Sequence, residues 1–418
     1  MREASGFVPL PARAEGATAP AGKEKSCATR QPKNGCPSIS IAAPAAQPVA
    51  TPGGGLPVSP EGSPTPPLAT DCDKKTKGAR PRKPNIYIYR VPVNRFGHKF
   101  RLTLWGESHG PEIGLTIDGL PAGLPLAEAD FEADLSRRRA GAGGTTARRE
   151  EDRPEIVAGL YRGHTTGAPL AIRFANADTR PADYAPTAAE CHDRPSHADR
   201  AAAERFAGWN DPRGGGHFSG RVTVALVAAG VVAKRLLPAE VRFATRIAEL
   251  GGCSDPARFD ALLREAAAAG DSLGAVVECR VAGLPAGLGE PFFDSTESLV
   301  AHLLFAIPGI KGVEFGSGFA AARMRGSEHN DPIADAAGGT ATNHAGGIAG
   351  GLTNGNELAV RVAFKPTASI AREQLTWNRA TGRMEPLAVG GRHDTSIALR
   401  GAVVAEAAVA IALAELSL

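Results

Sequence analysis

No two of the six cysteines, Cys27, Cys36, Cys72, Cys191, Cys253 and Cys279, stand in a CxxC pair. That argues against a zinc ribbon or a thioredoxin-like site, and six cysteines among 418 residues are too few for a disulfide framework. The reading is free thiols in a reducing, cytoplasmic setting. HExxH and paired metal-ligand histidines are lacking, so no metal is expected. GxxxxGK[ST] is lacking too, which sets aside a P-loop NTPase. No GxGxxG stands between a strand and a helix, and the Gly-rich Gly346–Gly351 has the wrong spacing, so a dinucleotide-binding Rossmann site is not expected. Long apolar runs are absent. The longest, Val222 to Leu237, is broken by Lys234 and Arg235, so no membrane span is expected. A net charge of only +3 makes no case for nucleic acid.

What is present divides the chain near residue 93. Residues 1–93 hold 16 of the 33 prolines, carry a charge of +7 and have Phe7 as their sole aromatic before Tyr87. Such a composition cannot bury enough apolar surface to offset chain entropy. The segment is expected to be a disordered Pro/Ala/Gly-rich extension or the product of an upstream start codon. A transit peptide ranks second, because proline is too frequent for an amphipathic helix.

Residues 94–418 are read as one α+β domain. Strands are expected over 100–105, 113–117, 276–281, 312–315 and 357–364, where apolar residues alternate or β-branched residues cluster. Helices are expected over 126–139, 219–237, 295–305 and 401–416. Hairpins outnumber strand–helix–strand units, so antiparallel sheets are favoured over a doubly wound one.

The chemistry is concentrated in glycine-flanked polar turns. His109, His197, His217, His344 and His393 account for half of the ten histidines, and each sits in a turn flanked by Gly or acids. A single such histidine is usually a hydrogen-bonded structural imidazole; five in one chain weaken that reading. Arg137 to Arg139, Arg148, Arg194, Arg213, Arg221, Lys365 and Arg392 lie beside Gly, Pro or helix ends. Arg213-Gly-Gly-Gly216 runs into Ser219-Gly-Arg221 and then a long helix. A Gly turn, a capping Ser and a helix start expose backbone N–H groups to an anion. Arg221 adds a fork suited to phosphate or carboxylate. The residues alone thus point to an enzyme that binds a multiply anionic small molecule, with His and Asp available for proton transfer.

Seven segments, in order, resemble the chorismate synthase family: Phe100–Gly110, Asp134–Arg139, Arg194–Asp199, Asp211–Gly216, Asn343–Gly347, Lys365–Ile370 and Gly391–Asp394. The resemblance implies a β-α-β sandwich with helices packed between antiparallel sheets, assembled as a homotetramer. It implies conversion of 5-enolpyruvylshikimate 3-phosphate to chorismate by a redox-neutral 1,4-elimination that needs reduced FMN. It assigns catalysis to His109, His197 and Asp394. It assigns cofactor contacts to His217, Phe218 and Ser219, to Pro308 and Gly309, to Gly350, to Lys365, Pro366, Thr367, Ala368 and Ser369, and to Arg392. Substrate contacts fall on Arg138 and Arg221. No nucleic acid or membrane partner is implied. Two departures stand out. The flavin segment, commonly Arg-Ser-Ser-Ala-Arg, is His217-Phe-Ser-Gly-Arg221 here, and the 140–147 loop lacks a substrate-binding arginine, whose charge Arg148 is expected to cover. Two alternatives stay open: a non-catalytic flavin- or anion-binding homologue, and reduction of the flavin by the chain's own NAD(P)H activity rather than by an outside source.

Overall fold

The computed structural model describes residues 94–141, 143–146, 148, 150–178, 192–391 and 393–418. The expectation of a disordered 1–93 lies outside the described residues, as do Arg392 and Cys191.

The first sheet is built from β1 (Arg95–Phe96), β2 (Arg101–Gly106), β3 (Glu112–Asp118), β4 (Glu155–Ala158) and, after a small hairpin of β5 (Leu160–Tyr161) and β6 (His164–Thr165), β7 (Leu170–Ala175). Its antiparallel order is β1-β2-β3-β7-β4. Strand alternation puts Ile113, Leu115 and Ile117 on one face, opposite Phe174, Ile172 and Leu170 in turn. All six are fully buried. The second sheet contains β8 (Arg242–Leu250), β9 (Ala275–Ala282), β10 (Ile310–Phe315) and, past the short pair β11 (Ile348–Ala349) and β12 (Leu352–Thr353), β13 (Leu358–Phe364). Its order is β10-β13-β9-β8. Leu358, Val360 and Val362 pair with Val281, Cys279 and Val277 on the inner face. A separate ribbon, β14 (Gln374–Asn378) with β15 (Arg383–Leu387), follows.

Between the sheets lie two helices that are apolar almost all round, the pattern of an interior helix. Thr223–Leu236 touches β2 and β3 on one side and Ala398–Ser417 on the other; the latter rests on β8 and β9 and packs against the Thr296–Ala306 helix. The two long helices cross closely at Gly230, where a Cβ would stand 2.4 Å from that of Ala407. The result is the expected β-α-β sandwich.

Ion pairs stitch the layers. Arg137, Arg138 and Arg139, each turned about 100° from the last on the Glu132–Arg138 helix, take three different partners. Arg137 forks onto Glu406 of the C-terminal helix at 2.8 and 2.7 Å, where Lys234 also donates at 2.6 Å. Burial pushes the Glu406 carboxyl up, but Arg137 and Lys234 outweigh it and bring it down to about 2. Arg139 pairs with Glu132, while Arg138 turns inward. Near the end of the C-terminal helix, Glu415 accepts the backbone N–H groups of His98, Lys99 and Phe100, which fastens the start of the domain.

The strands and helices expected from the sequence are all present, within a few residues. The expected helix over 126–139 opens as a 3-10 turn, Glu128–Phe131. That over 219–237 begins only at Thr223, after tight turns at Arg213–Phe218 and Gly220–Val222. β4, β7, β8, the 14–15 ribbon and the helices Asp199–Arg205 and Phe259–Ala268 were not foreseen. No helix among the described residues is long and apolar enough to cross a membrane.

Candidate active site

The β2–β3 turn and the glycine turn before the long helix are built against each other. Gly214, Gly215 and Gly216 have φ of +57°, +82° and +52°, a run that side chains other than glycine rarely adopt. The turn lies flat on His109: a Cβ on Gly214 would stand 2.4 Å from its ring. Ser108 N–H donates to the Gly216 carbonyl at 3.1 Å. His109 is 7% exposed, so the imidazole is enclosed. His217 Nδ1 meets the Gly106 carbonyl at 2.8 Å and so carries the hydrogen there. Phe218 is half exposed, edge-on to Phe206. Ser219 Oγ accepts from Arg221 N–H, the cap expected from the sequence.

Behind this turn lies a buried cluster of charge. Asp152 accepts from Arg138 Nη1 at 3.0 Å and from Arg221 Nη1. All three residues are at most 7% exposed. Burial pushes the Asp152 carboxyl up, yet the two guanidinium groups hold it below its usual value. Burial pulls Arg138 down to about 9, which leaves it charged at neutral pH. Arg138, Arg148 and Arg221 against Asp152 and Glu150 leave a surplus of one positive charge. Arg221 Nη2 is buried with no hydrogen-bond partner among the described residues, and Glu150 Oε2 stands 3.9 Å away. Arg138 differs from expectation. Its nitrogens are engaged by Asp152, Thr223 Oγ1 and the carbonyls of Gly220 and Arg221, so it supports the helix start and Arg221. Arg148 is likewise committed, to Ser108 Oγ and O at 3.1 Å and to Glu150.

His197 approaches from another quarter. Its Nδ1 meets the Pro195 carbonyl at 2.9 Å and its Nε2 the Ser369 hydroxyl at 2.8 Å. The carbonyl can only accept, so Nδ1 carries the hydrogen and Nε2 is a lone pair. Burial, then the nearby Arg194, pull its titration below the ordinary histidine value. Beside it Arg194 and Asp199 pair with each other at 2.6 and 2.7 Å. Lys365 Nζ donates to the Ser196 carbonyl, and its backbone N–H to Gly309, which binds the 365–369 segment to both neighbours. Asp394 accepts the Thr146 N–H at 2.7 Å and is gripped by Arg400 at 2.6 Å. Thr146 Oγ1 in turn accepts the Arg148 N–H, joining Asp394 to the His109 side. Burial, only partly offset by the hydrogen bond to the Gly390 carbonyl, pulls His393 below the ordinary histidine value, with Arg194 and Asp394 acting in opposite directions.

Two candidates stand apart. His344 bonds Ser317 beside the β10 edge, and the β11–β12 turn that carries Gly350 is tied to Ser295 and Thr296.

The profile of the family described as chorismate synthase matches residues 100–418. The chorismate synthase of Chitinophaga pinensis is 55% identical over 326 residues, covering 78% of this chain and 97% of that protein. That of Desulfovibrio desulfuricans is 44% identical over 352 residues, covering 77% and 96%. A crystal structure of chorismate synthase superposes with a TM-score of 0.58 at 26% identity, over 77% of this chain and 92% of that one. The chain belongs to the chorismate synthase family. Membership makes it a lyase of aromatic biosynthesis, acting on a small molecule with a flavin.

Within a chorismate synthase framework, sequence reasoning passed over Asp152, Asn176, Glu150 and Arg400. Asp152, Asn176 and Glu150 lack glycine neighbours, and Arg400, although it precedes Gly401, lies outside any motif spacing. Asp152 has φ of 50°, a backbone state rare for residues other than Gly, Asn or Asp, which no sequence signal announced.

Proposed function

We propose that the chain converts 5-enolpyruvylshikimate 3-phosphate to chorismate with reduced FMN, and that residues 94–418 are the catalytic unit. The observation that carries this reading is the surplus buried charge on Arg221, directly beside the turn that holds His109. A substrate with one phosphate and two carboxylates is the kind of ligand such a site accepts.

The 365–369 side suits a phosphate-bearing flavin. Thr367 Oγ1 is buried with no partner among the described residues. Burial and Lys311 lower the Lys365 ammonium, and neither lysine meets a carboxylate among the described residues. Gly309 has φ of +98°, and a Cβ there would overlap Ile397, so backbone alone forms that wall. His217, Phe218, Ser219, Pro308, Gly309, Lys365 to Ser369 and Arg392 would hold the cofactor. When bound, reduced FMN supplies the electron-rich ring that eases departure of phosphate and of a ring proton in a redox-neutral elimination.

The chain's own residues supply binding and proton positions. Arg221 holds an anionic group, with Arg138 and Asp152 fixing its direction. His109, enclosed beneath Gly214, holds a proton next to that anion. His197, neutral at pH 7, accepts one at Nε2. Asp394 keeps a fixed carboxylate under Arg400 and Thr146. A non-catalytic homologue is not favoured, because each of these groups is retained. Exposed Phe292, Phe293 and Phe319 support association of further copies, and we take the assembly to be a homotetramer in the cytoplasm. An anaerobic assay with photoreduced FMN and substrate tests the activity; absence of chorismate by chromatography overturns it.

A further inference from the structure

We propose that Asn176 is the positioning residue that couples the anion-holding Arg221 to the proton-handling His109 turn. This rests on the reading above of Arg221 and His109. Asn176 follows β7, and its backbone N–H is pinned to the Pro111 carbonyl at 3.0 Å. Its side chain reaches both halves of the site. Oδ1 accepts from Arg221 Nε at 3.0 Å, while Nδ2 donates to the carbonyls of Glu107 at 3.1 Å and Gly110 at 2.9 Å. Those two carbonyls flank Ser108 and His109 on either side.

Chemistry dictates which way the amide points. A guanidinium only donates and a carbonyl only accepts, so the oxygen must face Arg221 and the nitrogen must face the turn. An amide is the one short side chain that meets both demands. A carboxylate of the same shape would satisfy Arg221 but set a negative oxygen against two carbonyl oxygens. It would also neutralise the surplus charge on Arg221, which already shares Asp152 with Arg138. Besides Arg221, the charged or titratable neighbours among the described residues include Glu150, which accepts the N–H of Ala177, Asp178 next to it, and Glu107 and His109 in the turn itself.

The test is Asn176→Asp, with Asn176→Ala beside it. At about pH 8 the aspartate variant is expected to bind inorganic phosphate about tenfold more weakly by calorimetry, and to lose about tenfold in kcat or more. Asn176→Ala removes the same contacts without adding a charge, so it should lose kcat while keeping phosphate affinity closer to wild type than the aspartate variant does, a split that mere structural support would not give. Phosphate affinity and kcat within twofold of wild type in the aspartate variant, or an equal loss of phosphate affinity in both variants, overturn the proposal. If the aspartate variant does not fold, an alanine variant with kcat within twofold of wild type does so instead. The calorimetric arm needs no turnover, so an inactive wild-type chain counts against the proposed activity and unchanged phosphate affinity counts against this one.

Discussion

At the residue scale, the proton-handling groups differ in environment more than in type. His197 is held as a neutral acceptor by Pro195, Ser369, burial and Arg194. Its folded value lies below the unfolded one, so the unfolded chain takes the proton first as pH falls below about 6.5. Stability should therefore drop in that window, and kcat should show an acid limb displaced below it. His197→Ala should remove that limb in a kcat profile. His109→Ala and His197→Ala are each expected to lower kcat by about 10²–10⁴-fold with binding of FMN and substrate within a few-fold of wild type. His302, edge-on to Phe96, and His329, beside His344, serve as controls and should tolerate alanine in the same assay. Arg138→Ala leaves Asp152 with one cation and Arg221 without its brace. It is expected to raise KM for substrate far more than the Kd for FMN, and to cost about 3 kcal/mol or more of stability in urea.

At the element scale, the two central helices are joined by contact and by charge. Gly230→Ala adds a methyl where Ala407 already sits, so despite better helix propensity it should lower stability by about 1–3 kcal/mol. A rise in Tm would contradict the close crossing. Glu406 joins the Arg137 and Lys234 helices to the C-terminal one. Glu406→Gln leaves Arg137 and Lys234 with Asp134 as their remaining carboxylate and should cost about 1–3 kcal/mol at pH 7 in urea unfolding. The folded carboxyl titrates at about 2 against an ordinary 4.5, so its contribution is complete above about 4.5 and fades toward 2. Wild type and variant should therefore converge in stability in acid.

At the scale of the whole molecule, the family match begins at residue 100 and Glu415 anchors residues 98–100. We take residues 94–418 to be the catalytic unit, with residues 1–93 dispensable. A chain beginning near Val93 should keep the Tm and specific activity of the full chain; insolubility or loss of most activity would refute the assignment of 94–418 as the catalytic unit.

Local physics was legible in the residues themselves. The alternation of Leu358 to Phe364 appears as alternating burial along β13, because side-chain period in a strand is set by the backbone alone. The glycine turn at 214–216 and the Ser219 cap were legible for the same reason: φ tolerance and a short hydroxyl are properties of single residues. What could not be read was which groups each charge would meet. Asp152 and Arg221 are 69 positions apart, His197 and Ser369 172, and Thr146 and Asp394 248. Arg138 is engaged by Asp152 and the Gly220 carbonyl, and Arg194 and Asp199 hold each other, pairings that no local spacing specifies. Residue types and their local spacing determined the strands, the turns and the kind of ligand. Only the packed sandwich decided which donors stay unspent, because hydrogen bonds and ion pairs form through space, and the sequence does not contain those distances.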